Sequence, residues 1–266
     1  MAATEERAET DLLIVGGGNM GEALVAGLLA QGRQSVVVLE PSAERRTELE
    51  AAYPGLTTSD GPVPAVAVVI AVKPHHVEEA CRSVAASGAR RVLSIAAGIT
   101  TGSLEAWLPA EVSVVRSMPN TPAQVGAGAS AISGGSRADD ADLDWAEEIL
   151  GSVGVVVRVS EELLDAVTGL SGSGPAYVFA LVEAMAGAGA AAGLPPEVAA
   201  ALARQTVVGA GRLLEQSSES PAALRKAVTS PGGTTAAGLA VLTPQLEELL
   251  RATVVVAAAR SKELGA

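Results

Sequence analysis

The sequence predicts an α/β protein, a parallel-sheet domain over residues 11–160 followed by an all-helical domain over residues 161–266, and three observations predict it. Up to about residue 159, short continuous apolar runs alternate with helix-like stretches, the pattern of a parallel sheet covered on both faces. After Ser160 the strand signal stops, and prolines recur where helices can begin. A glycine-rich turn stands between the first strand and the first helix, where open α/β sheets hold ligands.

The elements follow in order. Residues 12–15 read as a buried strand and 20–31 as a helix; 36–39 and 43–52 repeat the pair, as do 66–72 with 77–86 and 92–96 with 101–107. Residues 112–116 form a further strand, 139–150 a helix and 155–159 the last strand. Pro175, Pro196, Pro221 and Pro244 each stand where a helix can start, since a first-turn residue has no intrahelical use for an amide proton. Gly193 stands where one can end. Residues 1–10 are polar and acidic, without the apolar core of a signal peptide, and read as a disordered lead-in. The stretch 176–194 is apolar except for Glu183, yet Ala and Gly supply most of that character and Pro195-Pro196 close it. It reads as a helix buried against other helices or a second subunit, not as a membrane span.

Composition narrows the partners. Apolar residues make up 48% of the 266 and aromatics only 2%, so tight packing of Ala, Val and Leu must form the core. A net charge of -12 argues against nucleic acid and anionic membranes as partners, and any phosphate or carboxylate must be held by a local positive feature. Cys81 is the single cysteine, which excludes an intramolecular disulfide and fits a reducing, cytoplasmic compartment. The two histidines, His75 and His76, are too few and too closely spaced for a zinc site, so no metal is expected.

The strongest motif is Val15-Gly16-Gly17-Gly18-Asn19-Met20-Gly21, a Gly-x-Gly-x-x-Gly between strand and helix. Gly16 permits the tight turn, Gly18 lets the backbone approach a pyrophosphate and Gly21 lets helix and strand pack closely. The helix N-terminus supplies the positive potential that the net charge withholds. The motif marks a Rossmann-type domain binding NADH or NADPH. Glu40, ending the second strand, suits the ribose hydroxyls of NADH and would repel a 2′-phosphate. Ser42, Arg45 and Arg46 stand near enough in sequence to receive that phosphate, or the arginines form a solvated helix face. Val72-Lys73-Pro74 closes a strand at its carboxyl end, so Lys73 is either a cofactor-site residue or a loop lysine. Two further loops, 169–175 and 229–235, offer hydroxyls and free amides at helix starts: carboxylate cradles or ordinary caps.

From residue 11 to the C-terminus the chain resembles the pyrroline-5-carboxylate reductase family, enzymes of the last step of proline synthesis. The resemblance is carried by the glycine loop, Ala71-Val72-Lys73-Pro74, Ala96-Ala97-Gly98 and Met118-Pro119-Asn120-Thr121-Pro122. It continues through 165–177, Asp-Ala-Val-Thr-Gly-Leu-Ser-Gly-Ser-Gly-Pro-Ala-Tyr, and 224–239, Leu-Arg-Lys-Ala-Val-Thr-Ser-Pro-Gly-Gly-Thr-Thr-Ala-Ala-Gly-Leu.

The resemblance implies a Rossmann domain, a helical dimerisation domain, assembly of homodimers into larger rings such as a decamer, and reduction of 1-pyrroline-5-carboxylate to L-proline by NADPH or NADH. It places Val15, Gly16, Gly17, Gly18, Asn19, Met20, Glu40, Ala71, Val72, Lys73, Pro74, Ala96, Ala97 and Gly98 at the cofactor, to which the glycine motif adds Gly21 and the nearness to Glu40 adds Ser42. Ser230, Gly232, Gly233, Thr234, Thr235 and Glu161 fall at the substrate; imine reduction then needs a hydrogen bond to the ring nitrogen, and the Thr235 hydroxyl is the expected catalytic donor. The chain departs from the family where a small hydroxyl residue commonly stands near Glu40, leaving both coenzymes open. It also departs at Thr243, which with Pro244 reads as helix capping. A 3-hydroxyacid dehydrogenase, for which Lys226 is the nearest catalytic lysine, is the enzymatic rival; a non-catalytic dinucleotide sensor is the rival of another class.

Overall fold

The computed structural model describes residues 10–33 and 35–265; the expected lead-in lies outside them except for Thr10. The chain divides into two compact units at Gly172 and again at Val256, the first resuming at Ala257 and the second being Ser173–Val256.

The first unit is built on a sheet of β1 (Thr10–Val15), β2 (Val36–Leu39), β3 (Thr57–Ser59), β4 (Ala65–Ile70), β5 (Arg91–Ser94), β6 (Ser113–Met118), β7 (Gly128–Gly134) and β8 (Gly154–Arg158). Their order is β3-β2-β1-β4-β5-β6-β7-β8, parallel throughout except where β7 runs against β6. Helices α1 (Asn19–Ala30), α2 (Ala43–Ala52), α3 (Val77–Val84), α4 (Thr101–Trp107) and α5 (Asp140–Gly151) connect the strands. Alternate strand residues face opposite layers. Leu12, Ile14, Val38 and Val69 join Leu24 and Leu28 of α1 and Ile149 of α5; Leu13, Val68, Val92 and Val114 join Val77, Cys81 and Val84 of α3. Chain order reverses at β1, with β2 on one side and β4 on the other. A crevice therefore opens outside the strands' carboxyl ends, as such sheets require.

Two strands escape the apolar-run criterion. β3 is the short polar run Thr-Thr-Ser at the sheet edge, and β7 is Gly-Ala-Ser-Ala-Ile-Ser-Gly, whose small residues carry little hydrophobic signal. The antiparallel β6–β7 pair corrects the expectation of a wholly parallel sheet. Strand pairing ends near the expected boundary at residue 160. The first compact unit nonetheless runs on through α6 (Leu164–Val167), whose Leu164 is fully buried, and a π-helical turn, Thr168–Gly172.

The π-helical turn also corrects the reading of 169–175 as an open loop. Thr168 Oγ1 donates to Leu164 O at 2.9 Å and Ser171 Oγ to Val167 O at 3.1 Å, so these hydroxyls serve their own helix.

The second unit holds α7 (Gly174–Ala191), α8 (Pro196–Gln216), α9 (Pro221–Ala227) and most of α10 (Thr234–Leu264). Pro175, Pro196 and Pro221 occupy first-turn positions as expected. Pro244 does not: it lies inside α10, where it removes one hydrogen bond without ending the helix, so Thr243 is no cap. Helix α7 stops at Ala191, with Gly193, φ 101°, turning the chain just beyond it, and packs on α8 closely enough that a Cβ on Gly189 would lie 3.1 Å from that of Ala199. No residue of α7 is buried within the single chain, and Phe179, Leu213 and Leu249 are 61–64% exposed. Length and composition would let the 161–191 helical run cross a membrane.

Candidate active site

Each glycine of the dinucleotide loop has a distinct local reason. Gly16 sits at φ 107°, and a Cβ there would lie 2.8 Å from Ala71 O. A Cβ on Gly21 would come within 2.0 Å of Gly16 O, so α1 can pack onto the loop only without a side chain. Gly18 is different: nothing lies within 4 Å of where its Cβ would be. Its missing side chain leaves open space beside the cleft. Gly18 also caps α1 without a side-chain hydrogen bond, and Glu22 N→Gly18 O, 2.8 Å, is the first intrahelical bond. The amides of Asn19, Met20 and Gly21 therefore carry the unpaired donors of a helix start.

The loop borders a cleft of about 1020 Å³ at the strands' carboxyl ends. Val15, Gly16, Gly18, Asn19, Met20, Glu40, Ala71, Val72, Lys73, Pro74, Ala96 and Ala97 line it, all expected from the sequence. Gly17, Gly21, Ser42 and Gly98 are not among its walls; they shape the turns behind them. Ser42 accepts from Arg45 N at 3.3 Å as the N-cap of α2. Gly98, φ 78°, lets the loop after β5 turn beneath Leu264 and Gly265 of the returning C-terminal segment. Sequence reading missed Asp60, Asn120, Thr121 and Gln124, and left His76 without a role, yet all five line the cleft. The carboxyl end of β6 was the available signal for the middle three.

Charge at the β2 end is already committed. Glu40 Oε2 accepts from Gly17 N at 3.0 Å and Oε1 from Ser42 N at 2.9 Å. Arg45 Nε donates to Gly17 O at 2.8 Å and Nη1 to Glu48 at 2.8 Å, while Nη2 meets Glu22. The bonds to Glu48 and Glu22 raise the guanidinium's pKa further. Arg46 turns back to Glu40 O and Pro41 O, at 2.8 and 2.9 Å.

Glu161 lies behind the β5–α4 loop and is not a wall of the cleft. Its carboxylate accepts from Thr101 N at 2.7 Å, Thr101 Oγ1 at 2.6 Å and the buried Arg116 at 3.0 Å. Burial pushes its pKa up, but the Thr101 hydroxyl and amide and the Arg116 guanidinium outweigh that and hold it below the ordinary value. Burial alone acts on Cys81, pushing its thiol up to about 11, so it supplies no thiolate near neutral pH. Among the described residues no group of three His, Cys, Asp or Glu side chains is arranged to hold a metal.

In the second unit, the loop before α10 is a tight turn. Gly233 N donates to Ser230 O at 3.1 Å, Gly232 sits at φ 72°, and a Cβ on Gly233 would lie 2.4 Å from Ser230 Oγ. The Ser230 hydroxyl thus stands against Gly233, the residue immediately before a 31-residue helix whose first-turn amides at Thr234 and Thr235 have no intrahelical acceptor.

Comparison with known proteins agrees with this layout. Residues 161–264 match the family "Pyrroline-5-carboxylate reductase dimerisation" and residues 11–98 match "NADP oxidoreductase coenzyme F420-dependent". The chain is 42% identical to a pyrroline-5-carboxylate reductase of Synechocystis, over 95% of this chain and 97% of that protein. It is 39% identical to one of Arabidopsis thaliana over 94% of both. A pyrroline-5-carboxylate reductase structure from Coxiella burnetii superposes with a TM-score of 0.90 at 37% identity, covering 97% of this chain and 99% of that one. One from Plasmodium falciparum, with NADP bound, gives 0.78 at 27% identity, covering 97% and 98%. The chain belongs to the pyrroline-5-carboxylate reductase family and is an NAD(P)H-dependent oxidoreductase.

Proposed function

We propose that the chain reduces the C=N bond of 1-pyrroline-5-carboxylate to give L-proline, with the substrate bound by the 230–235 turn. The observation that carries the substrate assignment is the Ser230 hydroxyl held against Gly233 at the N-terminus of α10. Hydroxyl, helix dipole and the free first-turn amides of Thr234 and Thr235 together form an anion cradle, which a chain of net charge -12 needs for a carboxylate; the Gly233 amide is spent on Ser230 O and serves the turn instead. Gly232 gives the turn its left-handed step, and Thr235, one residue into the helix, is assigned the hydrogen bond to the ring nitrogen. When bound, a dihydronicotinamide would supply the hydride that adds to the carbon of the protonated imine, whose nitrogen keeps its proton in the amine product. Lys73, Ala96 and Ala97 help form its pocket, and the amides of Asn19 and Met20 are assigned the pyrophosphate. Glu161 acts as a positioning residue: through Thr101 it fixes the loop that bears Ala96, Ala97 and Gly98.

The functional unit is proposed as a homodimer, assembled into a ring such as a decamer, in the cytoplasm and without membrane or nucleic-acid partners. The match of 161–264 to a dimerisation family supports covering the exposed Phe179, Leu213 and Leu249 with a second copy rather than with lipid.

The test is oxidation of NADH or NADPH with 1-pyrroline-5-carboxylate, set against short 3-oxo acids. Turnover with the imine and a Thr235→Ala variant whose kcat/KM falls about ten- to a hundredfold is expected, the loss of one hydrogen bond that strengthens in the transition state. Ser230→Ala should chiefly raise KM. Oxo-acid reduction without imine reduction would favour the hydroxyacid dehydrogenase reading, and no turnover of either would favour the sensor.

A further inference from the structure

The Gly17 peptide is held from both sides. Glu40 takes its N–H at 3.0 Å, and Arg45 Nε gives a hydrogen bond to its carbonyl at 2.8 Å. A Cβ on Gly17 would lie 3.3 Å from Glu40 Oε2 and 2.7 Å from Leu49 Cδ1, so any side chain there would press on the clamp. We propose that this clamp selects NADH over NADPH, with Glu40 as the specificity-determining residue and Arg45 as a positioning residue that cannot act as a phosphate receptor. The proposal rests on the coenzyme cleft described above.

Three features support it. A carboxylate offers about four lone-pair sites, and Gly17 N and Ser42 N occupy two of Glu40's, leaving acceptors for a ribose diol. Glu40 and Asp60 both line the cleft, and the register Leu39↔Ser59 brings the ends of β2 and β3 side by side. A 2′-phosphate, carrying about 1.5 to 2 negative charges, would therefore meet like charge there. The arginines near this end are engaged, and Lys73, the other basic wall of the cleft, follows β4, two strands away from β2 in the sheet. Arg45 spends Nε on the loop, Nη1 on Glu48 and Nη2 on Glu22, which Tyr53 also holds by its hydroxyl at 3.3 Å; Arg46 caps two carbonyls.

The clamp also predicts why one substitution is insufficient to reverse the choice. Glu40→Ser removes the ribose acceptor and leaves the Gly17 amide without its partner, but Arg45 stays bound to Glu22 and Glu48. Freeing Nη1 by adding Glu48→Ala is what provides a phosphate receptor.

Binding is measured without substrate, by fluorescence titration of NADH and NADPH and by calorimetry with ADP and 2′,5′-ADP, so catalysis does not enter the readout. The wild-type chain is expected to bind NADH at least about tenfold more tightly than NADPH, and ADP more tightly than 2′,5′-ADP. Glu40→Ser should weaken NADH about tenfold while leaving NADPH within about threefold, and Glu40→Ser with Glu48→Ala should tighten NADPH at least about threefold beyond the single variant. Equal binding of the two coenzymes by the wild type, or tighter NADPH, overturns the proposal. So does a Glu40→Ser variant that alone gains tenfold for NADPH. If neither coenzyme binds, the coenzyme site itself fails, a result distinct from a wrong preference.

Discussion

Gly18 and Gly21 belong to one motif, yet the structure predicts opposite consequences for Gly18→Ala and Gly21→Ala. At Gly18 the backbone lies at φ -70°, ψ -178°, extended and accessible to any residue, and a Cβ would meet nothing within 4 Å. The change in folding stability should therefore stay within about 0.5 kcal/mol, as for a surface substitution that breaks no contact. At Gly21 the added Cβ would stand 2.0 Å from Gly16 O, well inside the closest separation real contacts show. Helix α1 must move off the loop by more than an ångström, and overpacking of that kind costs about 1–3 kcal/mol or more. For a chain of this size that lowers Tm by about 2–4 °C per kcal/mol. Coenzyme binding reverses the order of interest. On the proposed assignment the pyrophosphate approaches the backbone through the open space at Gly18, so Gly18→Ala should weaken NADH at least about tenfold, a loss of about 1.4 kcal/mol, at unchanged Tm. Thermal unfolding of the coenzyme-free protein and fluorescence titration of NADH measure the two quantities separately. A stable Gly18→Ala protein that binds NADH as the wild type does would refute the assignment of that space to the ligand.

Two further expectations follow from charge and exposure. Glu161→Gln leaves the buried Arg116 without its counter-charge and should cost about 1–3 kcal/mol at pH 7, discounted for Glu161's partial exposure. Because the folded-state pKa of Glu161 is depressed, its contribution is full above the ordinary value of 4.5 and is lost as pH falls through the lower folded value. Urea unfolding should therefore show the variant and wild type converging in acid; a gap that does not narrow as pH falls below 4.5 would count against the charge as the cause. Light scattering at micromolar concentration should give a dimer or larger, and Phe179→Glu together with Leu213→Glu should shift it towards monomer; a wild-type monomer with full activity would refute the second-copy covering of α7 and α8.

How much of this could be read from the chain alone depended on whether a signal is local. Strand β1 and the loop after it are local: an apolar run, three glycines at fixed spacing and a helix start, each interpretable from its neighbours. Strand β7 was lost because Gly, Ala and Ser carry no hydrophobic contrast, and its antiparallel pairing with β6 is a property of the pair. Asp60 was invisible for a related reason. Nothing in the run Ser-Asp-Gly-Pro marks a ligand site; it lines the cleft because Leu39 registers with Ser59. Pro244 failed in the other direction. A proline permits a helix start but does not require one, and flanking helix formers carried α10 through it. Glu161 was found by resemblance as a ligand neighbour, and only the fold brings Thr101, 60 residues away in sequence, and Arg116 onto its oxygens.

The acidic balance of the chain sharpens what the site is made of. A protein of net charge -12 that handles a dinucleotide and a carboxylate would be expected to gather its arginines around them. Three of the arginines do the reverse. Arg45 is bound to Glu22 and Glu48, Arg116 to Glu161, and Arg158 to Asp144 and Glu147. Each neutralises the protein's own carboxylates and fixes a loop or strand end. On the proposed assignment, positive potential for the anionic ligands comes chiefly from backbone amides at the starts of α1 and α10, where glycine and serine allow close approach, with Lys73 on the cleft wall. An amide carries no net charge and no flexible stem, so it holds its direction without ordering cost and without attracting every passing anion. That division explains why the decisive motifs in this sequence are glycine turns, and why its most telling charged residue, Glu40, is a carboxylate placed where a phosphate would be unwelcome.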